Sequence, residues 1–144
     1  MNMVIKNISK ETFSRYGHVI EYDSSKKENF QVILNEFDAV GWRIAVNKID
    51  AKSVSRIARH PNTMESFEPV TGVTLIIVAP PENVDNFEVF LLDRPVCVNK
   101  NVWHATICLS EYSIVKICEN VTVESEFHDY NKEIGVRVFM AGMN

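Results

Sequence analysis

The chain has 144 residues, the size of a single domain, so we expect one domain over residues 1–144. It is 46% hydrophobic and 24% charged, a composition that excludes collagen-like and disordered classes. Its 15 Lys and Arg residues against 19 Asp and Glu residues give a net charge of -4. Because phosphate backbones and anionic membranes require a basic surface, we expect neither nucleic acid nor a membrane as a partner.

The N-terminal region and the longest apolar run both bear on where the protein is found. Residues 1–12 alternate apolar and polar side chains and lack the continuous apolar core of a signal peptide. The longest apolar run, residues 73–81, is less than half of the about 20 residues that cross a bilayer. The cysteines form no C-x-x-C pair, which is typical of reduced intracellular thiols. The sequence therefore predicts a cytoplasmic protein.

One short helix is predicted near the start of the chain. It covers residues 10–16, with Ser9 as its N-cap and Gly17 just after its last turn. The later elements are short runs rich in β-branched and aromatic residues, bounded by polar, Pro or Gly breaks, which predict strands. The predicted strands are residues 18–22, 30–35, 42–49, 53–58, 73–78, 87–92, 96–98, 103–109, 112–118, 121–127 and 136–140. About ten short strands with so little helix indicate an all-β sandwich or closed barrel.

Two histidines and a carboxylate are the candidate site residues, since the common nucleotide, hydrolase and zinc-protease motifs are missing from the sequence. His60 lies in Arg59-His60-Pro61 and is followed by Glu65, whereas His104 lies at the start of a predicted strand. Side chains alternate between the two faces of a strand. If both residues face inward, one imidazole and one carboxylate converge in the mouth of a barrel, where ligand sites commonly form.

The segments around these residues resemble one enzyme family. The chain is similar to the ureidoglycolate lyase family in R-H-P-N-T-M-E-S-F-E-P-V-T-G-V-T-L-I-I-V at 59–78, N-K-N-V-W-H-A at 99–105 and E-T-F-S-R-Y-G-H-V-I at 11–20. The resemblance implies an all-β, cupin-like double-stranded β-barrel with one short N-terminal helix, assembled as a homodimer. It also implies cleavage of a small-molecule substrate, ureidoglycolate, into glyoxylate and urea, with no cofactor expected.

The resemblance also suggests roles for individual residues. Glu65 and His104 are the expected acid and base, which take the carbinol proton and protonate the departing urea nitrogen. Enclosure in an apolar barrel is expected to raise the pKa of Glu65. His60 is expected to orient Glu65 or to bind the substrate's carbonyl oxygen. The expected substrate-binding residues are Lys100 and, as a second cation for the carboxylate, Arg59, with Trp103 as a wall that excludes water.

The chain departs from the family at three places, and these leave its exact substrate open. The family usually has Gln where this chain has Glu65 and a second His where it has Ala105. The family also has an Asp-Arg pair where this chain reads I-C-E-N at 117–120. Because a planar Arg is the natural partner of a carboxylate, a closely similar small hydroxy acid is an alternative substrate.

Two further classes of protein are compatible with the same residues. Cupins that bind metal typically present two His and a Glu from a first motif and one His from a second. His60, Glu65 and His104 fit three of these ligands, while Ala58 replaces the first His. Two His and one carboxylate are sufficient to bind a divalent transition metal such as iron or manganese, as in an oxygenase or isomerase. The third class is a non-catalytic cupin that binds a small molecule.

Overall fold

The computed structural model describes residues 3–137 and 142, and within them the chain forms eleven strands. The strands are β1 Ile5–Asn7, β2 Gly17–Val19, β3 Trp42–Ile49, β4 Ser53–Arg59, β5 Glu65–Thr71, β6 Thr74–Ala79, β7 Glu88–Leu91, β8 Val96–Val98, β9 Trp103–Cys108, β10 Ser113–Asn120 and β11 Glu126–Gly135. One sheet has the order β1-β7-β6-β9-β4-β11 and the other β2-β8-β5-β10-β3. The all-β prediction is confirmed.

The main hydrophobic core lies between the two sheets. Ile76 and Cys108 contribute to it from the six-stranded sheet, and Phe67 and Val115 from the five-stranded sheet. Strand β10 alternates buried and half-buried residues along its whole length, as expected when one face packs on the core. By contrast, every residue of β6 is buried, because a second apolar cluster covers the outer face of its sheet.

The predicted helix over residues 10–16 is wrong, because the described residues form only turns there. Ser9 does cap this segment, since its Oγ accepts the Thr12 N–H at 3.0 Å. Phe13 N–H bonds to the Ser9 carbonyl at 3.0 Å, but Tyr16 N–H bonds back to Phe13 at 2.9 Å instead of continuing a helical ladder. Seven residues are too few to offset helix nucleation. None of the described residues belongs to a helix long and apolar enough to cross a membrane.

The strand predictions differ from the structure in five places. Residues 30–35 form no strand, because this exposed run pairs with no neighbouring strand. Most of 121–127 is irregular, since β11 begins only at Glu126. In the predicted strand 136–140, residues 136 and 137 are irregular and 138–140 lie outside the described residues. Strands β1 and β5 were not predicted, and β5 contains Pro69 beside a register shift against β10, where proline is tolerated in a sheet.

Candidate metal centre

Three of the predicted site residues converge between the two sheets. His60 follows the end of β4, His104 is the second residue of β9, and Glu65 begins β5 in the facing sheet. Glu65 Oε2 lies 2.6 Å from His104 Nε2 and 3.4 Å from His60 Nε2. The three side chains are 9–12% exposed, and one ligand atom from each lies within 4.8 Å of the others. The fold therefore brings one carboxylate and two imidazoles, the site cluster, to one buried point.

The backbone sets the orientation of both imidazole rings. His60 Nδ1 lies 3.0 Å from the Glu124 carbonyl oxygen, and His104 Nδ1 lies 3.0 Å from the Val102 carbonyl oxygen. A carbonyl only accepts, so each Nδ1 carries the hydrogen and donates it. In the neutral rings, the lone pair is then on Nε2, which faces Glu65 in both cases. The two imidazoles are held in the tautomer that binds a cation through Nε2.

The two imidazole neighbours also determine the pKa of Glu65. Burial raises the pKa of Glu65, but the close imidazoles of His104 and His60 lower it further, to about 2. The expectation of a raised pKa is therefore wrong, because it included the apolar barrel and not the second imidazole. Contact with Glu65 in turn raises the pKa of His60, although burial opposes this.

A second feature of Glu65 indicates that the cluster suits a cation. Its Oε2 atom is buried and has no aligned hydrogen bond within the described residues, although both Nε2 atoms are close. An orphaned buried carboxylate oxygen is costly unless a proton or a metal ion lies between it and its neighbours. Two imidazoles and one carboxylate form the three-residue set that binds iron or manganese and leaves positions for substrate. The residues present therefore fit a divalent transition metal.

The other three predicted site residues lie elsewhere. Trp103 precedes His104 on β9 and points to the opposite face of the sheet, into the outer apolar cluster. The Arg59 guanidinium carbon lies 4.4 Å from the centroid of the Trp103 ring, and Arg59 Nε donates a hydrogen bond to Glu126 Oε2 at 2.9 Å. Lys100 forms an ion pair with Glu36 at 2.7 Å. The structure therefore does not bring Trp103, Arg59 or Lys100 into the site cluster.

Sequence reasoning missed two charged residues beside the cluster. Glu119 on β10 is the Cα partner of Glu65, and its side chain is 7% exposed. Burial raises the pKa of Glu119, and the neighbouring Glu65 charge adds to this, while Arg43 on β3 lowers it. The alternation of Val115, Ile117 and Glu119 along β10 was the available signal, because it places Glu119 on the core-facing side.

A fourth ligand position is open on the same face. Ala58 is the Cα partner of His104 and lies two residues before His60, so a side chain there points toward the cluster. We expect Ala58→His to tighten Mn²⁺ binding by about 10-fold, because it adds an imidazole donor. Isothermal titration with Mn²⁺ measures this. Ser55→His, an exposed position on the opposite face of β4, is the matched control and is expected to leave affinity unchanged. An unchanged Ala58→His affinity would contradict the assigned face.

Comparisons with known proteins give the chain no family. No family model matches it, and no curated protein matches it. A dTDP sugar isomerase from Desulfovibrio desulfuricans G20 is similar with a TM-score of 0.48 at 12% identity, over 85% of this chain and 80% of that chain. A Bacillus subtilis oxalate decarboxylase, described with Mn(II) centres, has a TM-score of 0.45 at 14% identity over 68% of this chain. This chain spans 24% of the decarboxylase.

Proposed function

We propose that the protein is a metal-dependent, cupin-like enzyme that acts on a small molecule between its two sheets. The observation that carries this proposal is the convergence of His60, Glu65 and His104, with both imidazole Nε2 atoms turned toward Glu65 Oε2. Each Nδ1 is held by a backbone carbonyl, which is the usual outer support of a metal-binding histidine. Three protein ligands leave open positions for substrate or water.

The cluster residues have separate tasks in this proposal. His60, Glu65 and His104 hold the ion, and a divalent ion supplies Lewis-acid polarisation of a bound carbonyl or hydroxyl oxygen. Phe67 packs edge-on against the His104 ring at 5.5 Å, which fixes the ring and keeps that side of the cluster apolar. An apolar wall excludes water and strengthens the local electrostatic interactions. Glu119 adds a second carboxylate beside Glu65, and Arg43 holds it in place through two hydrogen bonds.

A ureidoglycolate lyase-like activity is the second candidate. The two motifs that resemble that family, at 59–78 and 99–105, contain all three cluster residues. In this version no metal takes part. Glu65 and His104, 2.6 Å apart, take the proton from the carbinol hydroxyl and protonate the urea nitrogen. The C–N bond breaks as the carbinol C–O becomes C=O, which releases glyoxylate and urea. His60 orients Glu65 from the other side at 3.4 Å.

One experiment separates these candidates. Protein purified without added metal is analysed for metal content, then assayed for glyoxylate release from ureidoglycolate with and without chelator, corrected for spontaneous decay. Metal above about half an ion per chain supports the metal-dependent enzyme, because three good ligands retain a transition metal. Release that survives chelation supports the metal-free lyase. If the protein neither retains iron or manganese after incubation nor releases glyoxylate, both candidates fail and a non-catalytic binding protein is left.

We infer that the chain forms a homodimer through β3. This strand is at the edge of the five-stranded sheet, and three of its outward side chains are apolar and more than half exposed. They are Trp42, Ile44 and Val46. Exposed apolar edge strands pair with another strand unless protected. If two copies of β3 pair antiparallel about Ala45, Lys48 of each copy lies opposite Trp42 of the other. This register places no two like charges opposite each other and favours a cation–π contact.

The β3 interface predicts the behaviour of one substitution. We expect Ile44→Glu to convert the dimer to a monomer, because the pairing would set a carboxylate against apolar side chains of the second copy. Size-exclusion chromatography with light scattering measures the mass. Val4→Glu is the control, since Val4 is 74% exposed but precedes β1 in the other sheet. A monomeric wild-type protein, or a dimer that persists in Ile44→Glu, would contradict the inferred interface.

A further inference from the structure

A row of charged side chains crosses the five-stranded sheet from the site cluster to the sheet's edge. Glu65, Glu119 and Arg43 are Cα partners on the neighbouring strands β5, β10 and β3. Phe67 and Ile117, two residues from Glu65 and Glu119, belong to the core between the sheets. Alternation therefore places the whole row on the inner face. It begins at the buried cluster and ends on β3, the edge strand of the sheet.

Arg43 has hydrogen-bonding capacity that Glu119 does not use. Its Nε and Nη2 both donate to Oε2 of Glu119, at 2.9 and 2.6 Å. A guanidinium carries further N–H donors, and in the described part of the chain Nη1 makes no hydrogen bond to protein. The Arg43 side chain is 50% exposed, whereas that of Glu119 is 7% exposed. The guanidinium is therefore anchored on one side and open on the other.

The sign of the net charge along this row of side chains depends on whether the site cluster holds a cation. Glu65 and Glu119 together outweigh the single charge of Arg43, so the row alone is negative. A divalent cation held by the cluster reverses that sign and makes the inner face attractive to an anion. Anion binding beside Arg43 is thus expected to strengthen when the cluster is loaded.

The two cationic residues that the sequence analysis expected to bind the substrate carboxylate do not lie on the inner face of the five-stranded sheet. Lys100 is paired with Glu36, and Arg59 is paired with Glu126 on the outer side of its sheet. Arg43 is bonded directly to the carboxylate that neighbours Glu65. Its planar donor fork matches a carboxylate, which it can bind through two hydrogen bonds.

We propose that Arg43 binds the carboxylate of the ligand and that the ligand is a small carboxylic acid whose second oxygen reaches the ion held by the site cluster. This rests on the proposed function, because the cluster supplies the second contact. Neighbouring strands are about 4.8 Å apart, so the backbones of Glu65 and Arg43 are about 10 Å apart. Hydroxy acids, oxo acids and short dicarboxylates share this chemistry.

The test is direct binding of simple acids to the intact protein. Malonate, glycolate and glyoxylate are titrated calorimetrically into wild-type protein, with and without Mn²⁺, and into Arg43→Met and Arg43→Lys. We expect at least one acid to bind wild type, more tightly with Mn²⁺, with a loss of 10-fold or more in Arg43→Met and a partial loss in Arg43→Lys. Arg94→Met is the control, since Arg94 pairs with Glu21 and Asp93 outside the row. Circular dichroism checks the fold of each variant.

The outcomes separate this inference from the proposed function. Unchanged acid binding in folded Arg43→Met, or no binding of any of the three acids to wild type, overturns the role of Arg43. Normal Mn²⁺ affinity in Arg43→Met alongside lost acid binding supports it. If wild type does not bind Mn²⁺, the proposed metal centre fails. Acid binding that still depends on Arg43 then supports the anion site alone, and binding that does not depend on it overturns both.

Discussion

Replacing Glu65 with Gln is expected to remove Mn²⁺ binding and to lower glyoxylate release from ureidoglycolate by about 100-fold or more. Glu65 is the only anionic member of the site cluster, and its Oε2 is the atom that both imidazoles approach. A neutral amide keeps the shape but loses the charge that a divalent cation requires. Calorimetric titration with Mn²⁺ and a turnover assay measure the two effects.

The control for Glu65→Gln lies on the same strand. Glu68 is on the other face of β5, where it pairs with Lys116 at 3.1 Å, and Glu68→Gln is expected to change neither measurement. His104→Ala should repeat the losses of Glu65→Gln with the fold retained. Full metal binding in folded Glu65→Gln would refute the metal centre. Unchanged turnover in folded His104→Ala would remove that residue from the mechanism.

Replacing Phe90 with Ala is expected to lower the free energy of unfolding by about 3–5 kcal/mol. Phe90 is 0% exposed and meets Phe13 and Tyr16 edge to face, with ring centroids 5.3 and 6.0 Å apart. The substitution leaves a cavity and also removes the contact that holds the N-terminal turns on the core. Urea unfolding followed by tryptophan fluorescence measures the change.

A second phenylalanine provides the comparison for Phe90→Ala. Phe37 is 91% exposed, and Phe37→Ala is expected to stay within about 0.5 kcal/mol of wild type. Equal effects of the two substitutions, or a loss below about 1 kcal/mol for Phe90→Ala, would mean that the aromatic trio does not stabilise the core as described.

The strands that sequence reasoning located best are those with strong local patterns. Strand β6 was found because a β-branched run lies between a Gly and a Pro-Pro pair, and β10 because its run is rich in β-branched residues. The segment 10–16 carried a cap and a terminal glycine but was too short to form a helix without tertiary support. Strand β5 was missed because Pro69 and two glutamates weaken its pattern, although strands on both sides complete its hydrogen bonding.

Some residues of the candidate site were identified from the sequence, and the placement of others depended on the fold. His60, Glu65 and His104 were identified from residue type, spacing and resemblance, and the structure brings them together. Trp103 is next to His104 in the sequence but on the other face of the sheet, because successive side chains in a strand point to opposite sides. The face that turns inward is decided by packing of the whole sheet.

The amino-acid sequence by itself determined the all-β class and the three residues of the site cluster, because strand periodicity and residue chemistry are local properties. Only the tertiary structure decided that Glu119 and Arg43 join this neighbourhood. These two residues are 76 positions apart and meet through pairing of β3 with β10. Pairing between distant strands depends on which sheet buries which face, and no local pattern encodes that choice.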